Sequence, residues 1–326
     1  MKVSVLIPAY NAAPYLGETL QSVLRQSHAN FEVIVVNDCS TDDTVKIANS
    51  FSDPRIRVVS HIENRGPSAG VNSGMQHVQG ELIALLDADD LWSPDKLAQQ
   101  VKLFEQVPTL GACYTDYSKF GAVQTDENGF DERGEAMRQY PRRAVGEDAY
   151  VITSDSFLVD LARIQAAPMP SAVMFRTDIL RKVLPLDESI GAQDVQITFR
   201  LANQAVFGYI DRPLMQRRLH ASSWGNAMGG LRWLKSHSVT LQELERWTTL
   251  NTEETLAVRK LLRGYLSAAA YTLFTHQQFA EARRYFAQTL RAGFQWKTLL
   301  YWLVCFLPPW VIETARRFKQ RLSALD

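Results

Sequence analysis

Three carboxylates stand within four residues at Asp87-Ala88-Asp89-Asp90, after the apolar run Leu82-Ile83-Ala84-Leu85-Leu86 and before Leu91-Trp92-Ser93-Pro94. Acids this close repel one another unless a cation joins them. Asp87 and Asp89 alternate, so they can share one hard divalent cation, which prefers carboxylate and phosphate oxygens. The same residues also suit a solvated acidic turn that caps a helix.

A short continuous apolar run belongs at the centre of a parallel sheet, buried on both faces. Ser93 is expected to cap a helix with Pro94 at its first position. The acids then occupy a strand-to-helix loop at the carboxyl end of a central strand, where open α/β sheets bind ligands. The chain before them alternates. Strands are expected at Val3 to Ile7, Phe31 to Val36, Arg55 to Ser60 and Glu81 to Leu86. Between them, helices carry Leu16, Leu20, Val23 and Leu24, then Val45 to Phe51 behind a cap at Ser40 or Thr41, then Gly66 to Gln79. This order predicts an α/β fold with a mostly parallel, doubly wound, Rossmann-like sheet joined by right-handed crossovers.

The chain has 326 residues, 46% hydrophobic and 10% aromatic, enough for one large or two moderate cores. Its formal net charge is zero, which gives no reason to expect a nucleic-acid partner. Cys39, Cys113 and Cys305 are scattered without metal-ligand spacing, as expected of a reducing, cytoplasmic compartment. The first residues carry no secretion signal: Lys2 is the only early cation, and Pro8 and Asn11 break the apolar run.

The first strand ends in Pro8-Ala9-Tyr10-Asn11, not a Gly-x-Gly-x-x-Gly turn, and no Gly-Lys-Ser/Thr phosphate loop occurs. Dinucleotide oxidoreductases and P-loop nucleotidases are therefore disfavoured. The strand ends instead offer Tyr10 and Asn11, Asp38, and the Asp87/Asp89 pair. Tyr10 can pack on a flat base, and Asp38 can accept hydrogen bonds from a base or ribose. The acids can hold a diphosphate through a cation. Asp38-Cys39-Ser40-Thr41 is equally a good turn and helix-cap sequence.

The run from Val3 through Pro8 to Asn11 resembles the opening of the family 2 inverting GT-A glycosyltransferases. Val33 to Asp42, with Asp38, is similar to that family's second motif. Asn64-Arg65-Gly66-Pro67-Ser68-Ala69-Gly70-Val71-Asn72 resembles the third, and Asp87-Ala88-Asp89-Asp90 its metal-binding motif. Four motifs in order make the match specific over about the first 225 residues. The resemblance implies nucleotide-sugar binding, with a UDP-sugar favoured, by Pro8, Tyr10, Asn11, Asp38, Arg65, Asn72, Asp87, Ala88 and Arg218. It also implies Mn²⁺ or Mg²⁺ on Asp89 and Asp87, with His220 as a third ligand. Val71 stands where relatives often carry arginine before the asparagine, and Arg65 is the candidate substitute for its phosphate contact.

The same resemblance places the general base at Asp194 in Gly191-Ala192-Gln193-Asp194, where Gln193 replaces the usual glutamate. The lost charge should make Asp194 less basic than in relatives. Asp194 could equally cap the helix that buries Ile197 and Leu201. Inversion implies in-line attack by an acceptor hydroxyl opposite the diphosphate, with a single base. Arg217-Arg218-Leu219-His220 follows an expected strand at Val206 to Ile210 and resembles the family's loop over the donor; His220 could also be a plain surface histidine. Trp224 could stack on a sugar or close the core. Ser171 to Phe175 is expected to pack the core, and Thr125 to Asp148 to form an exposed excursion. A catalytically silent module of the same fold is the alternative function. A processive synthase has less support, because Gln216-Arg217-Arg218-Leu219-His220 is not a Gln-x-x-Arg-Trp motif.

After about residue 225 the pattern turns helical, so the expected division is 1–225 catalytic and 226–326 helical. Tyr265 to Ala292 resembles one tetratricopeptide-type hairpin. Phe294 to Ile312 is rich in Trp and Tyr but broken by Pro308-Pro309, short of the ~20 apolar residues of a spanning helix. Arg316, Arg317, Lys319 and Arg321 follow. The segment suits either a buried terminal helix or a helix on the anionic inner membrane face, within reach of a glycan or lipid-linked acceptor.

Overall fold

The computed structural model describes residues 1–121, 138–164, 168–220, 230–308 and 310–312. Packing divides the chain into Met1–Ser223 with Leu244–Thr249, and Trp224–Glu243 with Leu250–Asp326.

The first unit begins β1 (Val3–Ala9), α1 (Ala13–Leu24), β2 (Phe31–Asn37), α2 (Thr44–Ser50), β3 (Ile56–Ser60), α3 (Pro67–Gly74) and β4 (Leu82–Leu85). It continues with β5 (Leu91–Trp92), α4 (Lys96–Gln106), β6 (Leu110–Gly121), β7 (Arg142–Ala144), β8 (Ala149–Ile152) and α5 (Phe157–Ile164). After these come β9 (Val173–Arg176), α6 (Thr177–Arg181), α7 (Gln193–Leu201) and β10 (Val206–Leu219). One sheet runs β3-β2-β1-β4-β9-β6-β10-β8-β7, with β5 paired to β10. The β3-β2-β1-β4 half is wholly parallel, as the alternating pattern predicts. Beyond it β9 runs antiparallel between β4 and β6, while β6 and β10 pair in parallel.

Period-two alternation sends β1 to two cores. Val3, Val5, Ile7 and Ala9 join α1, α2 and α4 in one apolar cluster. Leu6 and Pro8 face α3, which must come close: a Cβ on Gly74 would lie 2.1 Å from Leu6 Cδ1, and one on Gly70 would lie 2.9 Å from Pro8 Cβ. Helices thus cover both faces, as burial of parallel strands requires.

Several boundaries differ from expectation. The helix after the acids starts at Lys96 behind Asp95, not at Pro94, because Leu91-Trp92 is drawn into the sheet as β5. The second helix starts at Thr44 behind Asp43, not behind Ser40 or Thr41. Asp42 serves both helices: its Oδ1 accepts from the Thr44 amide of α2 and its Oδ2 from the Ala13 amide of α1, each at 3.0 Å. β10 extends through Arg217, Arg218 and Leu219, expected as loop, since β6 pairs with it to Gly121.

The second unit holds α8 (Leu231–Glu243), α9 (Thr252–Thr275), α10 (Phe279–Ala292) and α11 (Trp296–Val304). Asn251 and Glu254 cap α9 reciprocally. Ala269, Leu273, Phe274, Ala282 and Phe286 form the core of the α9–α10 hairpin. Among the described residues no helix is long and apolar enough to cross a membrane. The expectations for Trp224, for residues 125–137 of the excursion and for the basic cluster Arg316 to Arg321 lie outside the described residues; the rest of the excursion buries Tyr140 and forms β7.

Candidate active site

The parallel half of the sheet brings three strand ends side by side: Tyr10 and Asn11 after β1, Asp38 after β2, and the acids after β4. Their register follows from the β1–β2 and β1–β4 ladders, which place Ala9 opposite Asn37 and Leu6 opposite Leu85.

Asp38 is buried. Its Oδ1 accepts from the Arg65 amide at 2.9 Å and faces His61 Nδ1 at 2.7 Å, and its Oδ2 accepts from the Gly66 amide at 2.6 Å. Asp38 therefore fixes the loop that enters α3, with Gly66 at φ 86° in the left-handed region that glycine tolerates. Oδ2, with one partner, keeps acceptor capacity. Tyr10 is half exposed beside it. Asn11 turns the chain: its Oδ1 accepts from the Thr41 amide at 2.8 Å.

The acid loop is tied from two sides. Ser171, expected only to pack the core, donates its hydroxyl to Asp90 Oδ2 at 2.6 Å and accepts from the Asp87 amide at 3.0 Å. Trp92 donates its indole N–H to the Ser171 carbonyl at 2.7 Å. On the other side, β5 pairs with β10 through Trp92 and Met215, which lays Arg217 to His220 along the acids. Asp90 Oδ1 accepts from the Arg218 amide at 3.0 Å. Asp89 Oδ2 lies 2.8 Å from His220 Nε2.

Arg218 supports this arrangement from behind. Its Nε donates to the Asp89 carbonyl at 2.9 Å, and its Nη2 reaches Glu18 at 2.5 Å. Its guanidinium lies 4.5 Å over Phe120, and the Tyr15 ring stacks on His220 at 4.4 Å. Tyr15 and Glu18 of α1 are neighbours of the candidate site that no sequence motif singled out.

Burial pushes the Asp90 carboxyl up to about 7, with Asp89 adding to the rise. Burial also drives Asp87 well above the ordinary carboxylate range, and the charges of Asp90, Asp89 and Asp194 push the same way. Arg217 opposes the rise at both. Asp194 is thus within electrostatic reach of the acids although about a hundred residues separate them. It is the second residue of α7, inside the helix rather than at its cap position, where Ala192 stands without a side-chain cap bond.

A buried network positions α7. Gln196 donates to Ser68 Oγ at 3.1 Å and accepts from the Asp187 amide at 2.8 Å and from Arg200 at 2.9 Å. Asn72 holds Leu186 through both its amide groups, at 2.8 and 2.9 Å, and reaches Glu188 at 3.1 Å. The Arg65 guanidinium, the candidate phosphate contact, is bonded through Nη2 to Glu188 at 2.6 Å. Val71 is fully buried. Short polar motifs announced Asn72 and Arg65; the isolated Gln196 and Ser171 carried no such signal.

Among the described residues no three His, Cys, Asp or Glu side chains converge on one point. The Asp89–His220 pair supplies one oxygen and one nitrogen beside two buried acids. That donor set fits Mn²⁺ or Mg²⁺, which are commonly held by one or two protein groups and completed by substrate phosphates.

Residues 4–157 match the model described as Glycosyl transferase family 2. The putative teichuronic acid biosynthesis glycosyltransferase TuaG of Bacillus subtilis is 42% identical over 118 residues, 36% of this chain and 46% of that protein. The Escherichia coli UDP-Glc:alpha-D-GlcNAc-diphosphoundecaprenol beta-1,3-glucosyltransferase WfgD is 36% identical over 101 residues, 31% of this chain and 40% of that protein. The chain therefore spans less than half the length of these two curated relatives. S. aureus TarS 1-349 in complex with UDP-GlcNAc shares the fold at TM-score 0.65 and 18% identity, over 90% of this chain and 81% of that one. Over residues 4–157, just under half of its length, the chain is thus similar to glycosyltransferase family 2, and it shares the fold of TarS.

Proposed function

We propose that this chain transfers a sugar, with inversion, from a nucleotide-diphosphate sugar to a hydroxyl of a glycan or lipid-linked acceptor. The observation that carries the reading is the Asp89–His220 contact in the acid loop at the carboxyl edge of the sheet, with the charge of Asp194 near enough to raise Asp87. A UDP-sugar is the favoured donor; it is the ligand class in the TarS complex and in the name of WfgD. WfgD's diphosphoundecaprenol acceptor supports a lipid-linked one here.

In this mechanism Tyr10 stacks on the base, and Asp38 uses its remaining acceptor capacity toward base or ribose. Pro8 closes the pocket where Gly70 lets α3 approach. Asp87 and Ala88 line the sugar–diphosphate side. Asp89 and His220 would hold Mn²⁺ or Mg²⁺, which supplies charge to stabilise the departing diphosphate. Asp194 accepts the proton of the acceptor hydroxyl as that oxygen attacks the anomeric carbon from the opposite face. Asn11, Asn72, Arg65 and Arg218 act by positioning: each already spends a polar group on the loops that carry Tyr10, Asp194 and the acids.

The test is a panel of UDP- and GDP-sugars assayed for hydrolysis with Mn²⁺, Mg²⁺ or chelator. One donor hydrolysed only with a divalent cation is the expected result. No hydrolysis of any donor, together with no calorimetric binding of UDP, would reject the reading.

A further inference from the structure

We propose that the end of the second unit, from Phe294 to Trp310, is a docking surface for an anionic lipid bilayer. Seven of the eleven large apolar side chains exposed among the described residues fall in this short stretch. Trp296 is 76% exposed, and Leu300, Leu303 and Phe306 are each more than half exposed. Within α11 only Thr298 is fully buried; Tyr301, Trp302 and Val304 pack on the helical core, which leaves the other face open. A concentration of this kind on a surface marks a site of interaction.

The chemistry selects the occupant. α11 has nine residues, about 14 Å of helix, far short of the ~30 Å hydrocarbon core of a bilayer. It can lie in the interface but not cross it. Trp, Phe and Leu together are the side chains that settle at that depth. The rim is cationic. The Arg283 guanidinium sits 4.8 Å over the Phe306 ring, and Lys297 lies within α11 itself. Arg263 packs against Gly293, beside Phe294: a Cβ there would meet its Nη1 at 2.6 Å. From Leu256 to Ile312 the chain carries seven Lys and Arg and one acid, Glu281. That acid is already bonded to Lys235 at 2.6 Å. A second copy would bring the same cations against these, whereas anionic headgroups neutralise them. The inference stands apart from the proposed transfer reaction, since its readout is binding alone.

Flotation of the full chain with vesicles of phosphatidylcholine, alone or mixed with phosphatidylglycerol, tests it. The expected result is flotation with the mixed vesicles only, weakened by salt, with a blue shift of tryptophan emission. The triple variant Trp296→Ser, Leu300→Ser, Leu303→Ser should lose at least ~tenfold in partition while its circular dichroism is unchanged. If that variant misfolds, Lys297→Gln with Arg283→Gln carries the test, lowering partition about fivefold per cation removed. Equal flotation with both vesicle types, no flotation, or unchanged partition of the variants would overturn the proposal. So would a dimer in sedimentation that the triple variant dissociates without any vesicle binding.

Discussion

Lys96 is fully buried, with its ammonium 4.1 Å from the centre of the Trp92 ring and donating to Gln100 Oε1 at 2.8 Å. Burial lowers its pKa from 10.5 to about 7. The nearest titratable neighbour is Cys113 of β6, whose thiol burial pushes up to about 12 and which is therefore neutral in the relevant range. The unfolded chain keeps its lysine proton up to about pH 10.5, and the folded chain releases it near 7. Between these values the unfolded state binds more protons, so stability rises with pH; below about 7 the penalty is full and constant. At about 1.4 kcal/mol per pH unit, the drop corresponds to about 5 kcal/mol. The indole face returns about 2 kcal/mol to the charged form, which lowers the net effect. Lys96→Met removes the titration and also leaves Gln100 without its donor, a loss that does not vary with pH. The quantity to follow is therefore the difference in urea-unfolding free energy between wild type and variant at pH 7, 8, 9 and 10. Wild type should gain on the variant by about 2–4 kcal/mol across that range. A difference constant across the series would refute the burial argument.

Three further outcomes follow from the site. Asp89→Asn should abolish divalent-dependent binding of UDP in calorimetry while the fold survives; unchanged affinity removes Asp89 from the cation site. Asp194→Asn should retain donor binding but lower transfer by ~10²–10⁴-fold, and a residual rate within tenfold of wild type excludes the base role. Ser171→Ala takes a hydroxyl donor from buried Asp90 and should cost about 1–3 kcal/mol in chemical denaturation, a loss absent if the serine merely fills space.

The parallel half of the fold was legible because each of its strands is a short apolar run closed by a turn residue, and the helices between show their own period. The candidate acids were legible for the same reason: Asp87, Asp89 and Asp38 sit where such runs stop. What supports them was not. Ser171 meets Asp90 across 81 residues, Gln196 meets Ser68 across 128, and nothing local in either neighbourhood marks the pairing. The extension of β10 to Leu219 was hidden because Arg217 and Arg218 look like loop residues. Their strand conformation comes from pairing with β6 and, through Met215 and Gln216, with β5. Ser93-Pro94 misled in the opposite sense: a good local start signal lost to sheet pairing two residues earlier.

The clamp between α3 and the segment leading into α7 has a consequence for how such a chain can diversify. Ser68 and Asn72 grip residues 186 to 196 directly, so the candidate base is registered against the nucleotide-side helix without reference to the length of chain between them. The turn from Gly146 to Asp148, between β7 and β8, is exposed and falls inside that interval. Each doubling of a flexible loop costs only about 0.6 kcal/mol. Insertions at such a turn can be sampled by evolution, or by a library, while the contacts between α3 and the start of α7 stay in place.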